Sequence, residues 1–301
     1  MNKSPIHVEI LDLRDRSVFD DVHALQVKAF GSFDATLLKS IMLDGRPETV
    51  LFGVYSPEDG SLVGVNGFVA HSVHRDGVTG IAYQSCISAT NPDFKGKGTF
   101  SAIINHAKAA LAEAGGAFIF GYPNSKSGPI FTGKLGFTLA EVGLVYVAGV
   151  GDWPVPGYGI NTDVLAKEAE LRKCVQFDAR ETALWKSQFA AKPKVVELDM
   201  FTNYAFGRVV ERRVGPLKIR MLSVGGYEIN KPEIFPKLLL RLREKAGANV
   251  VRVVTPGHTP LFLAAHKHRL TDTSEPLIVF PLNWQVSASD VDACTGLKDV
   301  F

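Results

Sequence analysis

The spacing of hydrophobic and polar positions along the first half of the chain predicts mixed α/β structure. Alternating apolar residues bounded by turn residues indicate three consecutive strands, over 49–56, 62–73 and 80–90. From 99 to 114 the apolar spacing changes to three and four, which is typical of an amphipathic helix. Two glycines follow as expected caps, and the apolar run 117–122 indicates a buried strand.

Further elements follow from the same patterns. In the first half we predict strands over 7–13 and 139–150 and helices over 17–30, 35–43 and 128–134. In the second half we predict helices over 180–189, 231–246 and 259–268 and strands over 204–213, 217–224, 249–255 and 276–281. A long helix, a glycine, a strand, a short helix and a strand thus follow one another twice. We interpret 99–150 and 231–282 as a structural duplication.

A segment rich in proline and glycine separates the two halves. Residues 151–160 contain two prolines and three glycines, which favours a linker. The alternative is a long surface loop within one domain. With the linker interpretation, the chain has one domain over 1–150 and a second over 161–301.

Composition excludes several classes of protein. The 33 basic and 31 acidic residues nearly cancel, so no overall field attracts nucleic acid. Three scattered cysteines, Cys86, Cys174 and Cys294, fit neither a disulfide framework nor a zinc motif, and the histidines show no metal-ligand spacing. No apolar stretch is long enough for a membrane span, and the first residues do not resemble a signal peptide. We therefore expect a cytoplasmic protein with no metal, no nucleic acid and no membrane among its partners; the sequence does not indicate its oligomeric state.

One segment combines glycine, basic charge and the start of a helix. Residues 91–100 read Asn-Pro-Asp-Phe-Lys-Gly-Lys-Gly-Thr-Phe and connect a predicted strand to the amphipathic helix. Free amides at a helix N-terminus bind phosphate, and Lys95 and Lys97 add positive charge. Gly96 and Gly98 allow the backbone to approach a ligand closely. The pattern matches neither the Walker nor the dinucleotide motif, so a glycine-rich turn with solvated lysines remains an alternative at this point.

With its surroundings, this loop resembles that of the GNAT superfamily of acyl-CoA-dependent N-acyltransferases. The family motif, [QR]-x-x-G-x-[GA], opens the third helix after the fourth strand, and Lys95, Gly98 and Phe100 occupy its three defined positions. Downstream, Gly-Tyr-Pro-Asn at 121–124 closes the fifth strand. Lys-Leu-Gly-Phe at 134–137 resembles the usual end of the fourth helix in the family. The resemblance covers about residues 6–150 and implies a GNAT fold, followed here by a second, degenerate GNAT-like domain.

The resemblance also implies a binding site for acyl-CoA as a co-substrate, with no tightly bound cofactor. Backbone amides of Lys95, Gly96, Lys97, Gly98, Thr99 and Phe100 would hold the coenzyme A pyrophosphate. Main-chain groups from Ser88 to Thr90 would pair with the pantetheine arm like an added strand. Asn124 would bond the coenzyme near the divergence of strands four and five. The thioester would lie near Ile87 and Ser88.

Three departures from the family pattern affect the predicted chemistry. Lys95 replaces Arg or Gln and loses the fork geometry of arginine, and Phe100 replaces a small residue. Thr132 occupies the position where many members have a tyrosine that protonates the leaving thiolate. A thiol has a pKa of roughly 8 to 9, so unassisted departure is tolerable.

No general base can be assigned from the sequence. The fourth strand, where relatives often place a glutamate, has no carboxylate. The candidates are Gln84, Cys86 and His71, although Gln84 cannot accept a proton. Cys86 as a buried strand residue and His71 as a structural residue are the alternatives. The base can also come from the second half of the chain.

The second half lacks a comparable loop. Its long helix follows Gly-Gly-Tyr-Glu-Ile-Asn-Lys-Pro at 225–232, in which the acidic Glu228 repels an anion. We therefore expect this half to bind a small-molecule amine acceptor, with an amino sugar carried on a nucleotide as the first candidate. The predicted function is N-acyl transfer from acyl-CoA. The alternatives are a non-catalytic acyl-CoA sensor and a Fem-like aminoacyl transferase.

Overall fold

The computed structural model describes residues 6–147, 174–189, 194–200, 202–229, 234–256 and 275–292. Contacts divide the chain into two compact units. The first comprises Met1–His71, Ile81–Thr138 and Ile278–Val286, and the second comprises Ser72–Gly80, Leu139–Leu277 and Ser287–Phe301. The predicted linker 151–160 and the predicted helix 259–268 lie outside the described residues, so the domain boundaries stay a prediction.

The described residues form strands and helices in alternation. The strands are β1 Glu9–Ile10, β2 Val50–Tyr55, β3 Leu62–Arg75, β4 Val78–Thr90, β5 Phe118–Gly121, β6 Thr138–Val147, β7 Val175–Phe177, β8 Val195–Met200, β9 Asn203–Val214, β10 Leu217–Glu228, β11 Val250–Pro256, β12 Glu275–Pro281 and β13 Val291–Asp292. The helices are α1 Arg16–Phe30, α2 Ala35–Met42, α3 Thr99–Glu113, α4 Gly128–Lys134, α5 Ala179–Ser187 and α6 Phe235–Ala246. This is the mixed α/β fold that the sequence predicts.

The sheet of the first unit has the strand order β1-β2-β3-β4-β5-β12. Strands β1, β2 and β3 pair antiparallel in sequence order. Strand β5 runs parallel to β4, with Ala82 opposite Phe118, and β12 pairs antiparallel with β5. A strand near the C-terminus of the chain therefore completes the sheet of the first unit.

The first unit is held together by packing of α3 and α4 on its sheet. The apolar side of α3 contributes Ile103, Ile104, Ala107 and Leu111, all buried, as its spacing of three and four predicts. Helix α3 ends at Glu113, and Gly115, two residues later, has a left-handed φ of +82°. Gly116, predicted as a second left-handed cap, does not have a positive φ. A Cβ there would lie 2.7 Å from the Tyr83 ring and 2.8 Å from the Leu111 carbonyl oxygen, so space requires this glycine.

The second unit repeats part of this strand order. Strands β8, β9 and β10 pair antiparallel, β11 runs parallel to β10, and β6 pairs antiparallel with β11. The apolar side of α6 buries Leu238, Leu239 and Leu242 in the core of this unit. The strand that follows the long helix in each unit, β5 or β11, thus has a parallel neighbour on one side and an antiparallel neighbour on the other.

The observed elements agree with the predicted ones in type and differ at their ends. The strand predicted over 7–13 is reduced to Glu9–Ile10, and the helix predicted from 231 is described from Phe235. Strands β7, β8 and β13 were missed. They are two to six residues long, too short or too polar for an alternating pattern to stand out.

Candidate functional site

The glycine-rich segment between β4 and α3 is anchored at its first residue. The Asn91 amide donates to the carbonyl oxygen of Val63 on β3 at 2.9 Å, and the Asn91 side chain accepts from the Asp93 amide at 3.2 Å. A short 3₁₀ helix over Pro92–Phe94 follows. These bonds fix where the chain leaves β4 and turns towards α3.

Both glycines of this loop adopt left-handed backbone conformations. The φ of Gly96 is +76° and that of Gly98 is +90°, which side chains with a Cβ rarely adopt. A Cβ built on either glycine would meet nothing within 4 Å. Backbone conformation therefore requires glycine here, and the space outside the loop is open to a ligand.

The N-terminus of α3 presents amides without acceptors. Gly98 is the N-cap residue and supplies no side-chain cap, and the first amide to bond within the helix is that of Ala102, which donates to the Gly98 carbonyl at 2.9 Å. In the part of the chain that the structure describes, the amides of Thr99, Phe100 and Ser101 have no acceptor. Unpaired amides and the positive end of the helix dipole form a site for an anion.

Close packing fixes the position of this helix end. Thr99 is buried, and a Cβ on Gly64 of β3 would lie 2.5 Å from the Thr99 methyl group. The Phe100 ring packs edge-on against the Phe131 ring of α4, with their centres 5.3 Å apart. Phe100 thus replaces the small residue of the family motif without leaving the apolar core of the unit.

Positive charge predominates around the loop. The Asp93 carboxylate pairs with Lys28 at 3.1 Å, which offsets the acidic side chain of the segment. Lys95 and Lys97 are exposed, and the Lys97 ammonium lies 4.3 Å from the centre of the Phe94 ring. Of the predicted pyrophosphate residues, 95–98 are exposed and include both lysines, whereas Thr99 is buried and Phe100 is half-buried.

Strands β4 and β5 part beside this loop. Gln84 and Phe120 form the last of their paired positions, whereas β4 continues to Thr90. Ser88 and Thr90, predicted to contact the pantetheine arm, lie on the part of β4 that has no β5 partner. Parallel strands that diverge leave a backbone edge along which an extended ligand can pair.

An irregularity interrupts β4 just before Ser88. Ile87 has a φ of +49°, and its carbonyl oxygen accepts a bond of 2.9 Å from the side-chain amide of Gln26 on α1. On β3, the buried Asn66 side chain bonds the hydroxyls of both Ser85 and Ser88. The predicted thioester position is thus surrounded by a buried polar network.

The three candidate catalytic side chains are buried in the same part of the sheet. A ring nitrogen of His71 lies 3.1 Å from the amide oxygen of Gln84, and the His71 ring packs 5.5 Å from that of Phe120. Cys86 is also buried. The structure brings His71 and Gln84 into contact, which favours the structural alternative for His71.

Asn124 and Thr132 use much of their hydrogen-bonding capacity within the chain. The Asn124 side-chain oxygen accepts from the amides of Lys126 and Ser127 at 2.9 Å, just before α4. The Asn124 side chain is exposed, and within the described residues its side-chain nitrogen remains available to donate to a ligand. The Thr132 hydroxyl donates to the Gly128 carbonyl oxygen one turn earlier, at 3.1 Å.

The segment at 134–137 closes the end of α4. Gly136 has a φ of +70°, and the ring of Phe137 packs 4.8 Å from that of Phe131. Lys108 of α3 donates to the Leu135 carbonyl oxygen, and its ammonium lies 4.0 Å from the centre of the Phe280 ring. Burial lowers the pKa of Lys108. This segment joins α3, α4 and β12 and has a structural role.

Sequence reasoning missed the residues that hold the site in place. Gln26, Gly64 and Asn66 lie outside the family motif, and each acts through a contact distant in sequence. A buried polar residue within an apolar pattern was the available signal for Gln26 and Asn66, because such groups require partners. No local pattern distinguishes Gly64 from other strand glycines.

Within the described ranges, no cluster of three or more His, Cys, Asp or Glu side chains is placed to hold a metal. In the same ranges, no helix has the length and apolar character needed to cross a membrane.

Comparison with known proteins identifies the fold. No family model matches the chain, and no curated protein matches it in sequence. A GCN5-related N-acetyltransferase from Anabaena variabilis is similar in structure, with a TM-score of 0.63, 12% identity and coverage of 92% of this chain and 73% of that one. Eis1 from Mycobacterium abscessus is similar with a TM-score of 0.60 and 12% identity, over 93% of this chain and 74% of that one. A GCN5-related N-acetyltransferase from Kribbella flavida has a TM-score of 0.58 and 14% identity, over 92% of this chain and 72% of that one. At these identities the likeness establishes a GNAT fold and leaves the reaction open.

Proposed function

We propose that this protein is an acyl-CoA-dependent N-acyltransferase. The observation that carries the proposal is the basic, open loop at residues 95–100, with left-handed glycines and three unpaired amides at the start of α3. The fold shared with N-acetyltransferases supports the same reaction class. In this proposal acyl-CoA is a co-substrate that leaves as free coenzyme A.

The coenzyme would bind along two adjoining features of the first unit. Amides of Lys95 to Phe100 would bond the pyrophosphate, and Lys95 and Lys97 would add attraction at long range. The pantetheine arm would pair with β4 at Ser88 to Thr90, where β5 has ended. Asn124 would donate only through its side-chain nitrogen, because its oxygen already accepts two amides.

The reaction would be direct attack of a neutral amine on the thioester carbonyl. The new bond joins the amine nitrogen to the acyl carbon, the carbon–sulfur bond breaks, and coenzyme A leaves as thiolate. The proton lost by the attacking nitrogen can return to the sulfur, whose thiol has a pKa of roughly 8 to 9. Among the side chains of this chain, Thr132 is already bonded to Gly128, and we assign no general base or acid.

The second unit would bind the amine acceptor. Its order of strands around β11 repeats that around β5, which supports a degenerate GNAT-like half. Its helix α6 contains Pro236 in the first turn, and proline has no amide hydrogen to offer a phosphate. An amino sugar on a nucleotide carrier is the acceptor that we propose to test first.

A second candidate function is that of an acyl-CoA sensor without turnover. The specific observation in its favour is that His71 and Gln84 bond to each other and are buried. The Gln84 amide cannot accept a proton, and His71, with 4% of its surface exposed, is buried away from an attacking amine.

Release of free thiol from acetyl-CoA tests both candidates. The protein is incubated with acetyl-CoA and with amines that include a nucleotide-linked amino sugar, a polyamine and an aminoglycoside. Amine-dependent thiol release that disappears in Gly98→Glu supports the transferase. Tight binding of acetyl-CoA with no release for any amine supports the sensor, and no binding at all contradicts both.

A further inference from the structure

Strand β4 contains a backbone conformation that its residue does not favour. Ile87 is β-branched and buried, with 6% of its surface exposed, yet its φ is +49°. Left-handed backbone is rare for such residues because their side chains crowd the following carbonyl group. The surrounding structure must therefore hold Ile87 in this conformation.

Gln26 supplies the contact that fixes this peptide. It is fully buried on α1, and its side-chain nitrogen lies 2.9 Å from the Ile87 carbonyl oxygen. Because a carbonyl can only accept, the orientation of the amide is determined by this bond. The other end of the amide, its oxygen, has no partner within the described residues.

The left-handed residue changes which side chains share a face of β4. Ser85 and Ser88 are three positions apart, and in a regular strand they would point to opposite faces. Both nevertheless bond the same Asn66 side chain. The turn at Ile87 thus resets the alternation, and it sets the direction in which β4 presents Ser88 and the residues after it.

We propose that Gln26 is a positioning residue for the acyl-carrying arm of the co-substrate. By holding the Ile87 peptide, Gln26 orients the edge of β4 from Ile87 to Thr90, along which an extended amide-bearing arm pairs. The phosphate loop is anchored separately, by Asn91 on Val63 and by Thr99 on Gly64. The inference rests on the proposed function for the identity of the ligand.

Two ligands separate the arm from the phosphates. Coenzyme A carries both, whereas adenosine 3′-phosphate 5′-diphosphate carries the phosphates alone. Gln26→Met keeps the length and apolar stem of the side chain and removes the donor. We expect this variant to bind coenzyme A about tenfold more weakly and to bind the nucleotide within twofold of the unchanged protein.

A pH profile of Gln26→Glu provides a readout that a loss of packing alone does not give. The introduced carboxyl donates to the Ile87 carbonyl only when protonated, and burial raises its pKa. The ratio of coenzyme A affinity to nucleotide affinity should therefore rise in this variant as the pH falls from 8 to 5. In the unchanged protein the same ratio should rise less, because there only the free terminal phosphate of the nucleotide, which is esterified in coenzyme A, gains a proton over this range.

Two controls separate positioning from general destabilisation. Leu25→Ala removes a buried neighbour on the same helix and should lower the melting temperature without changing the affinity ratio. In an Ile87→Gly background, glycine adopts the left-handed conformation without steric cost, so adding Gln26→Met should change the ratio less than twofold.

The outcomes for the inference and for the proposed function are distinct. An unchanged ratio in Gln26→Met, or a pH profile of Gln26→Glu that matches that of the unchanged protein, overturns the role of Gln26 while the coenzyme site stands. If the unchanged protein binds neither ligand at millimolar concentration, the proposed function fails first and the inference falls with it.

Discussion

Two strand-to-helix connections in this molecule have similar surrounding elements and different residues at the start of the helix. One joins β4 to α3 and the other joins β10 to α6. In both, the strand before the helix runs parallel to the strand after it, and a left-handed glycine follows the helix, Gly115 or Gly247. Helix α3 starts at a left-handed glycine that follows Lys95 and Lys97, whereas α6 has Ile234 at its N-cap and Pro236 in its first turn. A shared arrangement of strand, connection and helix therefore does not by itself fix which residues lie at the start of the helix.

The acidic residue of the second connection is also occupied elsewhere. Glu228, at the end of β10, accepts from the Ala179 amide at 3.1 Å and lies 3.6 Å from the Arg180 guanidinium. Its carboxylate stabilises the start of α5. We therefore expect a few loop residues, rather than the arrangement of strands and helix, to determine anion binding.

The largest effect on stability is expected from adding a methyl group to a close-packed glycine in each unit. A Cβ on Gly64 would lie 2.5 Å from the Thr99 methyl group, and one on Gly225 would lie 2.3 Å from the Phe206 ring. We expect Gly64→Ala and Gly225→Ala each to lower the free energy of unfolding by about 1–3 kcal/mol, measured by denaturant titration. Only Gly64→Ala should also weaken coenzyme A binding, because it shifts the start of α3. Equal weakening in both variants would contradict the separate roles of the two connections.

A second effect concerns stability in the second unit alone. Burial raises the pKa of Asp292 to about 6, against the opposing hydrogen bond from Tyr227. The folded state therefore holds this proton more tightly than the unfolded state, and the contribution of Asp292 to stability falls as the pH rises from about 4 to 6. Asp292→Asn should stabilise the protein by about 1–2 kcal/mol at pH 7 and by almost nothing at pH 4.

Urea unfolding of both proteins at several pH values measures this difference. Coenzyme A affinity serves as the control and should be unchanged by Asp292→Asn. A stability difference that is constant between pH 4 and 7 would show that Asp292 does not titrate as its burial implies.

The smallest effect is expected from the exposed lysines of the loop. Replacing Lys95 and Lys97 by Gln should weaken coenzyme A binding about fivefold at low salt, since each charge near a helix N-terminus contributes about 0.3–1 kcal/mol to anion binding. The difference should diminish in 0.5 M salt because screening weakens exposed charges. Lys237→Gln, an exposed lysine in the first turn of α6, is the matched control and should have no effect. Loss of affinity that salt leaves unchanged would indicate a structural defect instead.

Much of the fold could be predicted from local patterns. The spacing of Phe100, Ile103, Ile104 and Ala107 defined α3 because a helix with one buried side requires it. The pairing of β12 with β5 could not be predicted, because it joins residues about 160 positions apart and no local pattern records such pairing. The short strand β13 pairs with β7 in the same way.

The candidate site likewise has parts that follow from local sequence and parts that depend on long-range contacts. The loop at 95–100 could be predicted because glycine and lysine before an amphipathic helix form a local signal. The contacts of Gln26 with Ile87 and of Asn66 with Ser88 depend on tertiary structure, and the turn at Ile87 has no signature in a β-branched residue. For Asn124 the sequence indicated the residue but not that its side-chain oxygen accepts from the amides of Lys126 and Ser127, just before α4.

The central claim is that coenzyme A binds at the loop that opens α3, and calorimetric titration of paired glycine variants tests it most directly. Gly98 and Gly60 both have a positive φ and open space around them, so Gly98→Glu and Gly60→Glu introduce the same side chain at similar backbone cost. We predict that the Gly60→Glu variant binds coenzyme A like the unchanged protein and that the Gly98→Glu variant binds it at least tenfold more weakly. Equal affinity of the two variants, or no binding by the unchanged protein at millimolar coenzyme A, would contradict it.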